Sequence, residues 1–407
     1  MSIFSSITGR ITRSLPHTFK HTNPQRYINM SSSSSAQYAL ERAVAISAVE
    51  RACSLTDKVF RNLVTADTVT KKDKSPVTVG DYSAQAVVNA ILGSHFPEDP
   101  IVGEEDSKDL QKPESEALRT QIFGLANEAL KNPAQECPAV AEAESKASTQ
   151  AWGERELSQN ELLAAIDRGS AEGGPKGRCW ALDPIDGTKG FLRGGQYAVC
   201  LAFMVDGLVQ VGVMGCPNLP HDASSAKPKE GEFGAGDRRK DLGTLFIAVR
   251  GQGAFQRPIQ GGKEEKISMR QISSLSEASF CESVEAGHSS HGTNARIAEL
   301  LGITAPSVRM DSQAKYASIA RGDGDVYLRL PVGDGSYQEK IWDHAAGSLL
   351  VEEAGGRVSD IRGKDLNFGV GRTLRENRGV VASSREHHSK VIDAVRKALE
   401  EEGRGHL

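Results

Sequence analysis

Apolar residues near the start of the chain recur at helical spacing. From about Ala36 they fall on one stripe of a predicted helix, which is typical of a face packed on a core; its members are Leu40, Val44, Val49, Leu55, Val59 and Phe60. The pair Ser75-Pro76 then favours extended chain, so residues 77–79 are predicted as a short strand. Helical spacing returns over residues 82–96, with Asp81 as the predicted N-cap.

The rest of the chain mixes predicted strands with predicted helices. Short apolar segments predict strands at 101–103 and from Trp180, and two hairpins at 197–214 and 244–256, because glycine-containing turns separate paired apolar runs. From about residue 267 strands alternate with helices. Further helices are predicted at 114–131, 160–168, 294–301, 313–320, 342–354 and 386–402.

The change in the pattern of elements and the composition of the first residues predict a leader and two domains. Residues 1–35 form the leader, residues 36–250 an N-terminal α+β domain and residues 251–407 a C-terminal α/β domain. Residues 1–30 contain four Arg or Lys and no acidic residue, the composition of an organellar transit peptide. The other interpretation is a disordered or untranslated leader, since Met30 could itself be a start. We expect a cytoplasmic protein, or a mitochondrial one if residues 1–30 act as a transit peptide.

Composition narrows the class of protein. The chain has 407 residues, 38% of them apolar and 25% charged, which is ordinary for a soluble globular protein. A net charge of −4 gives no reason to expect a nucleic-acid partner. No apolar run approaches the roughly 20 residues needed to span a bilayer. The six cysteines form no C-x-x-C pair, so we expect reduced thiols.

The candidate chemistry centres on the segment W-A-L-D-P-I-D-G-T-K-G-F at residues 180–191. A strand there enters a tight turn that carries Asp183, Asp186 and Thr188. Carboxylate, carbonyl and hydroxyl oxygens are hard ligands, which suit Mg²⁺ rather than Zn²⁺. The spacing is not that of an EF-hand, so further ligands must come from other segments.

Three more acids lie beside a glycine, a proline or a helix start: Asp81, Glu104 and Asp343. Alone, Asp81 is more simply a helix cap, and Glu104 is more simply part of a solvated acidic loop. Together with Asp183 and Asp186, however, they make a set of carboxylates that could hold metal ions.

The motif at 180–191 and the segment W-D-H-A-A-G-S-L-L-V-E-E-A-G-G at 342–356 resemble the inositol-monophosphatase superfamily. The resemblance covers about residues 36–400. It implies an α/β (α+β) fold, a layered α-β-α-β-α sandwich of two domains. It also implies a magnesium-dependent, lithium-sensitive phosphomonoesterase.

Other segments are similar to the 3'(2'),5'-bisphosphate nucleotidases in that superfamily. They are S-P-V-T-V-G-D-Y-S-A-Q at 75–85, G-H-S-S-H at 287–291, D-S-Q-A-K-Y at 311–316 and V-Y-L-R-L-P at 326–331. Lys189-Gly190 also stands where inositol monophosphatases more often have x-Asn. This resemblance implies hydrolysis of 3'-phosphoadenosine 5'-phosphate to AMP and phosphate, in some members also action on the 5'-phosphosulfate, and a role in sulfur assimilation. Inositol mono- or polyphosphate phosphatase is the alternative activity, and a catalytically silent sensor is the alternative class.

The resemblance implies a role for each matching residue. Two or three Mg²⁺ ions would be bound by Glu104, Asp183, Asp186, Asp343 and the carbonyl of Ile185, with inhibition by Li⁺. Asp81 and Thr188 would activate the attacking water. The nucleotide would contact His288, Ser312, Lys315 and Arg329, and also Thr188 and Asp343. We expect no partner beyond this small molecule, neither nucleic acid nor membrane, and a monomer.

Overall fold

The computed structural model describes residues 37–65, 75–131, 156–222, 241–284 and 291–407. The predictions for the leader and for His288 lie outside these residues.

Helices account for much of the described chain. Their bounds are α1 Ala39–Thr65, α2 Ser75–His95, α3 Glu116–Lys131, α4 Gln159–Asp167, α5 Thr188–Leu192, α6 His291–Leu301, α7 Ala314–Ala320, α8 Ala345–Glu353 and α9 His388–Glu401. Helix α4 begins with a capping box, in which the Ser158 side chain accepts from the Glu161 backbone N–H and the Glu161 side chain accepts from the Ser158 backbone N–H.

Strands in the described residues form two sheets. The first has seven strands in sequence order, and in it only the β1–β2 pair is parallel; its strands are β1 Ile101–Gly103, β2 Arg178–Asp186, β3 Ala198–Val205, β4 Leu208–Pro220, β5 Leu242–Val249, β6 Gly253–Pro258 and β7 Glu265–Ile267. The second has the order β11-β12-β10-β8-β9; its strands are β8 Phe280–Glu282, β9 Val308–Arg309, β10 Val326–Arg329, β11 Gly356–Ser359 and β12 Val380–Ser384.

The layers follow from the alternation of side chains along the first sheet. On β2, Trp180 and Leu182 belong to a core shared with α1 and α2, whereas Ala181 belongs to a core shared with α7 and α8. The second core also takes side chains from the second sheet, such as Ala382. A third core joins the other face of that sheet to α6 and α9, for example through Val395. The predicted α-β-α-β-α sandwich is therefore confirmed.

The predicted division at residues 250 and 251 stays a prediction. That position lies in the hairpin between β5 and β6, and the first sheet continues through β7. Contacts between the layers join residues 35–407 into one unit.

Two local predictions were wrong. Residues 77–79 are not a strand but part of α2, so Asp81 lies inside the helix and does not cap it. Pro76 is the second residue of α2, and proline is tolerated in the first turn because the N–H that it lacks would have no helical partner there. Asp343 does not lie within a helix, since α8 begins only at Ala345 with His344 as its N-cap.

Long helices are not membrane spans here. None in the described part of the chain combines the length and the apolar character that crossing a bilayer requires.

His388, the first residue of α9, is buried between two strands of the second sheet. Its Nε2 lies 2.8 Å from Ser359 Oγ on β11, and its Nδ1 lies 2.9 Å from Ser383 Oγ on β12. Burial, together with the positive charges of Arg357 and Arg385, lowers the pKa of His388 from 6.5 to about 4. The folded protein therefore holds a neutral imidazole at mildly acidic pH.

We expect His388 to make the fold sensitive to acid between about pH 6.5 and pH 4. In this window the unfolded chain binds a proton that the folded protein does not, so the free energy of unfolding falls as the pH falls. The loss from this residue between pH 7 and pH 5 is about 2 kcal/mol. Urea unfolding at both pH values should show that much less loss for His388→Gln. Equal losses in the two proteins would contradict the prediction, because their other titrating groups are the same.

Candidate active site

Nine of the predicted site residues line one cavity of about 370 Å³. Both sheets contribute to it, the first through the end of β2 and the second through β10. These nine are Glu104, Asp183, Ile185, Asp186, Thr188, Ser312, Lys315, Arg329 and Asp343. Segments that are far apart in the chain therefore meet in the way that the acid pattern predicts.

A β-bulge brings two acids of the central motif to this cavity. In a regular strand, residues three positions apart point to opposite faces. Asp183 pairs with Cys200 and Asp186 pairs with Ala198, so β2 advances three residues while β3 advances two. The extra residue on β2 restores a common direction to the two carboxylates. Pro184, which has no N–H to place in the sheet, suits this irregular position.

The turn into α5 requires glycine at two positions. Gly187 has a φ of 88°, and a Cβ there would lie 2.9 Å from Ser312 Cβ. A Cβ on Gly190 would lie 2.3 Å from the carbonyl oxygen of Gln196 and 2.9 Å from Asp311 Cβ. Asp311 also forms an ion pair with Arg193, the residue after α5. Glycine at these two positions thus allows α5 to pack closely against the segment that carries Ser312. A larger residue at position 190 would clash with its neighbours.

Asp183 is the most deeply buried acid that lines the cavity. Its side chain is 2% exposed and its Oδ1 has no hydrogen-bond partner. Burial raises the pKa of Asp183 well above its usual value, and other carboxylates raise it further; they are those of Glu104, Asp186, Asp343 and Asp81. Such a carboxylate is stabilised only when positive charge compensates it.

The other acids share this electrostatic situation. Burial is the main cause that raises the pKa of Asp343 and of Asp186, although Lys315 opposes the shift at Asp186. Glu104 has the more exposed side chain. Burial on its protein side, with the charges of Glu105 and Asp186, still raises the pKa of Glu104 to about 7.

Asp81 does not line the cavity, unlike Thr188, the other residue predicted to activate water. It is 6% exposed, and its Oδ1 also lacks a hydrogen-bond partner. Burial raises the pKa of Asp81, and the charges of Glu104 and Glu105 add to the shift. Helices α2 and α5 contact each other. The Thr188 hydroxyl donates only a long hydrogen bond, 3.4 Å, to the Ile185 carbonyl oxygen.

These observations fit a magnesium centre. The donors are oxygen atoms only, and one of them, Asp183 Oδ1, is buried with no protein partner. The acids of the predicted set, however, do not form a group whose ligand atoms all lie within 4.8 Å of one another. In the described part of the chain that distance is met by Glu339, Asp343 and His344. Without a cation between them, carboxylates repel one another, and this repulsion opposes a closer approach of the predicted acids.

Both carboxylate oxygens of Glu339 already have partners within the protein. Its Oε1 accepts from Arg329 Nε at 2.9 Å, and its Oε2 lies 3.3 Å from His344 Nε2. Burial alone would raise the pKa of Glu339, but His344 and Arg329 outweigh it and lower the pKa to about 2. His344 Nδ1 in turn lies 2.8 Å from the hydroxyl of Tyr316. Glu339 therefore orients Arg329 at the edge of the cavity.

Lys315 places positive charge inside the protein. It is 4% exposed, and its Nζ donates to the carbonyl oxygen of Ser312 at 2.9 Å. Burial lowers the pKa of Lys315, while the charges of Asp186 and Asp311 oppose that shift. Ser312 has a φ of 66°, an uncommon conformation for a residue with a Cβ.

Gln313 is a site residue to which sequence reasoning gave no role. Its backbone N–H donates to Asp186 Oδ2 at 2.5 Å, its Nε2 donates to the Trp342 carbonyl oxygen at 2.8 Å, and its Oε1 accepts from Gly347 N at 3.0 Å. Gln313 therefore connects the two segments that carry Asp186 and Asp343. The motif D-S-Q-A-K-Y contains it, but nothing in the spacing indicates these partners. Glu339 was missed for the same reason.

Comparisons with known proteins agree with this geometry. The model of the inositol monophosphatase family matches residues 125–400. A relative from Emericella nidulans named 3'(2'),5'-bisphosphate nucleotidase is 51% identical, over 89% of this chain and 99% of the relative. Relatives of the same name from Schizosaccharomyces pombe and Oryza sativa are 48% and 41% identical, over 87% and 92% of this chain and 94% and 98% of the relatives.

Solved structures support the fold. The extragenic suppressor protein suhB of Bartonella henselae aligns with a TM-score of 0.52 at 18% identity, over 88% of this chain and 99% of that one. An IMPase of Thermotoga maritima aligns with a TM-score of 0.50 at 18% identity, over 89% and 98%. Given this shared fold and the identity of about half to the curated relatives, the chain belongs to the inositol monophosphatase family and, within it, to the 3'(2'),5'-bisphosphate nucleotidases.

Proposed function

We propose that this chain is a metal-dependent phosphatase that hydrolyses the 3'-phosphate of 3'-phosphoadenosine 5'-phosphate, giving AMP and phosphate. The observation that carries the proposal is the composition of one cavity. It joins buried aspartates that need positive charge, such as Asp183, to the cationic side chains of Lys189, Lys315 and Arg329. Removal of this nucleotide by-product would serve sulfur assimilation.

The cationic side chains favour a substrate with two phosphates. The acids repel a phosphate unless metal ions lie between them, so one phosphate group would bind there with the metal. The second phosphate needs cations of the protein itself, and Lys315 and Arg329 meet that need. Ser312 and His288 would complete the nucleotide site, with Thr188 and Asp343 also in contact. An inositol monophosphate has no second phosphate to use these cations.

The metal ligands would be Glu104, Asp183, Asp186, Asp343 and the Ile185 carbonyl, holding two or three Mg²⁺ ions. Bound there, the ions would neutralise phosphate charge, make water more acidic and stabilise the leaving oxygen. Asp81 would accept the proton of the attacking water through the Thr188 hydroxyl, whose present hydrogen bond is weak enough to give up.

Location and assembly remain predictions. We expect a monomer in the cytoplasm, or in mitochondria if residues 1–30 act as a transit peptide.

A substrate panel tests the activity. With Mg²⁺ present, we expect 3'-phosphoadenosine 5'-phosphate to be hydrolysed with a kcat/KM at least about tenfold above that of inositol 1-phosphate, since a charge-assisted contact is worth about 1.5–3 kcal/mol. Phosphate release with and without Li⁺ measures both turnover and lithium inhibition. Equal rates on the two substrates would reject the nucleotide assignment, and binding without turnover would indicate a sensor.

Asp183→Asn tests the metal assignment. We expect activity to fall by more than about 100-fold, beyond the usual effect of groups that only support a ligand. The metal-free variant should melt no lower than the parent, because one buried repelling charge is gone. Asp106→Asn is the control, since Asp106 pairs with Lys108 outside the cavity lining, and it should keep its activity. Near-normal turnover by Asp183→Asn would show that the assignment is wrong.

Lys315→Met tests the site for the second phosphate. We expect kcat/KM for adenosine 3',5'-bisphosphate to fall roughly 10–100-fold, the effect of one lost hydrogen bond to a charged group. For adenosine 3'-monophosphate the loss should be several times smaller. Arg309→Gln removes an exposed cation paired with Glu282 and should change neither value. Equal losses on both substrates would mean that Lys315 acts only on the structure of the site.

A further inference from the structure

Arg372 lies in a segment that runs beside the approach to Asp343. The Arg372 carbonyl oxygen accepts from Ile341 N at 3.1 Å, and Leu374 N donates to the Glu339 carbonyl oxygen at 2.8 Å. Lys340 and Thr373 form an antiparallel bridge between these contacts. The main chain at Arg372 is therefore attached to the residues that lead into Trp342 and Asp343.

The Arg372 side chain reaches the first sheet. Its Nη2 donates to the Gly103 carbonyl oxygen at 2.5 Å. Its Nη1 donates to the carbonyl oxygens of Gly169 and Ala171 at 3.1 and 2.9 Å. Gly103 ends β1 and immediately precedes Glu104. The guanidinium thus holds the backbone from which Glu104 projects.

The same guanidinium also contacts the second segment directly. Its Cζ lies 4.9 Å from the centre of the Trp342 ring, within cation–π distance. Only a planar, permanently charged group with several donors can stack on a ring and bond three carbonyl oxygens at once, which lysine cannot do. Arg372 therefore touches the immediate neighbours of both Glu104 and Asp343.

On its other side, the Glu104 backbone is held by a neutral amide. Gln85 Nε2 donates to the Glu105 carbonyl oxygen at 2.6 Å, and its Oε1 accepts from Glu105 N at 3.0 Å. Gln85 belongs to α2 and so fixes Glu104 relative to the first layer. The contact that relates Glu104 to the Asp343 segment is that of Arg372.

We propose that Arg372 is a positioning residue that sets the separation of Glu104 and Asp343 and thereby the affinity of the site for Mg²⁺. This rests on the proposed function, which makes both acids metal ligands. Groups that orient metal ligands typically change affinity 10–100-fold when removed. Arg372 would act through its contacts with three backbone carbonyl oxygens and the Trp342 ring, and not through a contact with either carboxylate.

The test measures Mg²⁺ binding as well as activity. For Arg372→Gln we expect the dissociation constant for Mg²⁺, from calorimetry on metal-free protein, to rise about 10–100-fold. The Mg²⁺ concentration for half-maximal phosphatase activity should rise in parallel, with much of kcat recovered at saturating Mg²⁺. Arg372→Lys should fall between the two proteins, because an ammonium keeps the charge but not the planar set of donors.

Arg250→Gln is the matched control. Arg250 also bonds a backbone carbonyl, that of Val209 at 2.7 Å, and a side chain, that of Glu352 at 3.1 Å, but neither partner is next to a predicted metal ligand. Its loss should lower the melting temperature of the metal-free protein and leave the Mg²⁺ dissociation constant unchanged.

The outcomes separate three cases. Wild-type affinity in Arg372→Lys and Arg372→Gln, with only a lower melting temperature, would overturn the positioning role and leave the proposed function intact. If Arg372→Gln does not fold, Arg372→Lys decides, and an unchanged Mg²⁺ constant in it rejects the proposal. Failure of the wild-type protein itself to bind Mg²⁺ would overturn the proposed function together with this inference.

Discussion

The structure depends on holding like charges together away from water. Asp183 and Asp81 are buried with carboxylate oxygens that have no protein partner, and neighbouring acids raise their pKa values further. Burial of unpaired charge opposes folding by several kcal/mol per group unless it is neutralised. Three hydrophobic cores offset this repulsion. One lies between the first sheet and helices α1 and α2, one between the two sheets, and one between the second sheet and helices α6 and α9. The acids can therefore lie close together, because these cores stabilise the fold.

Neutral or distant groups do most of the positioning. Gln85 and Gln313 bond main-chain atoms next to the acids, and Arg372 bonds a carbonyl oxygen and a ring. None of these three side chains donates to a carboxylate of the predicted metal set, although the backbone N–H of Gln313 donates to Asp186 Oδ2. A cation bonded directly to the carboxylate oxygens would compete with a metal ion for them. Support through the backbone avoids that competition while keeping the ligand segments in place.

The sequence predicts those parts of the site whose chemistry is local. Asp183, Asp186 and Thr188 occupy one short turn, and the layered architecture was expected from the resemblance of residues 180–191 and 342–356 to the inositol-monophosphatase superfamily. Residues 77–79 were misassigned because the packing of α2, in which Val79 is buried, outweighs a local preference for extended chain. Gln313 and Arg372 were not predicted, since their partners are carbonyl oxygens and rings in distant segments. Such contacts cannot be recognised from a sequence motif, because every residue has a carbonyl group that could be the partner.

The bulge in β2 has a consequence for how this motif can change over evolutionary time. The direction of Asp186 depends on the number of residues after Asp183, because the register of β2 against β3 shifts by one residue there. Substitution between the two acids keeps this number, whereas insertion or deletion of one residue would turn one acid to the opposite face of the sheet. Selection on this segment therefore acts on its length, and descendants of the enzyme should differ there by replacement and not by gaps.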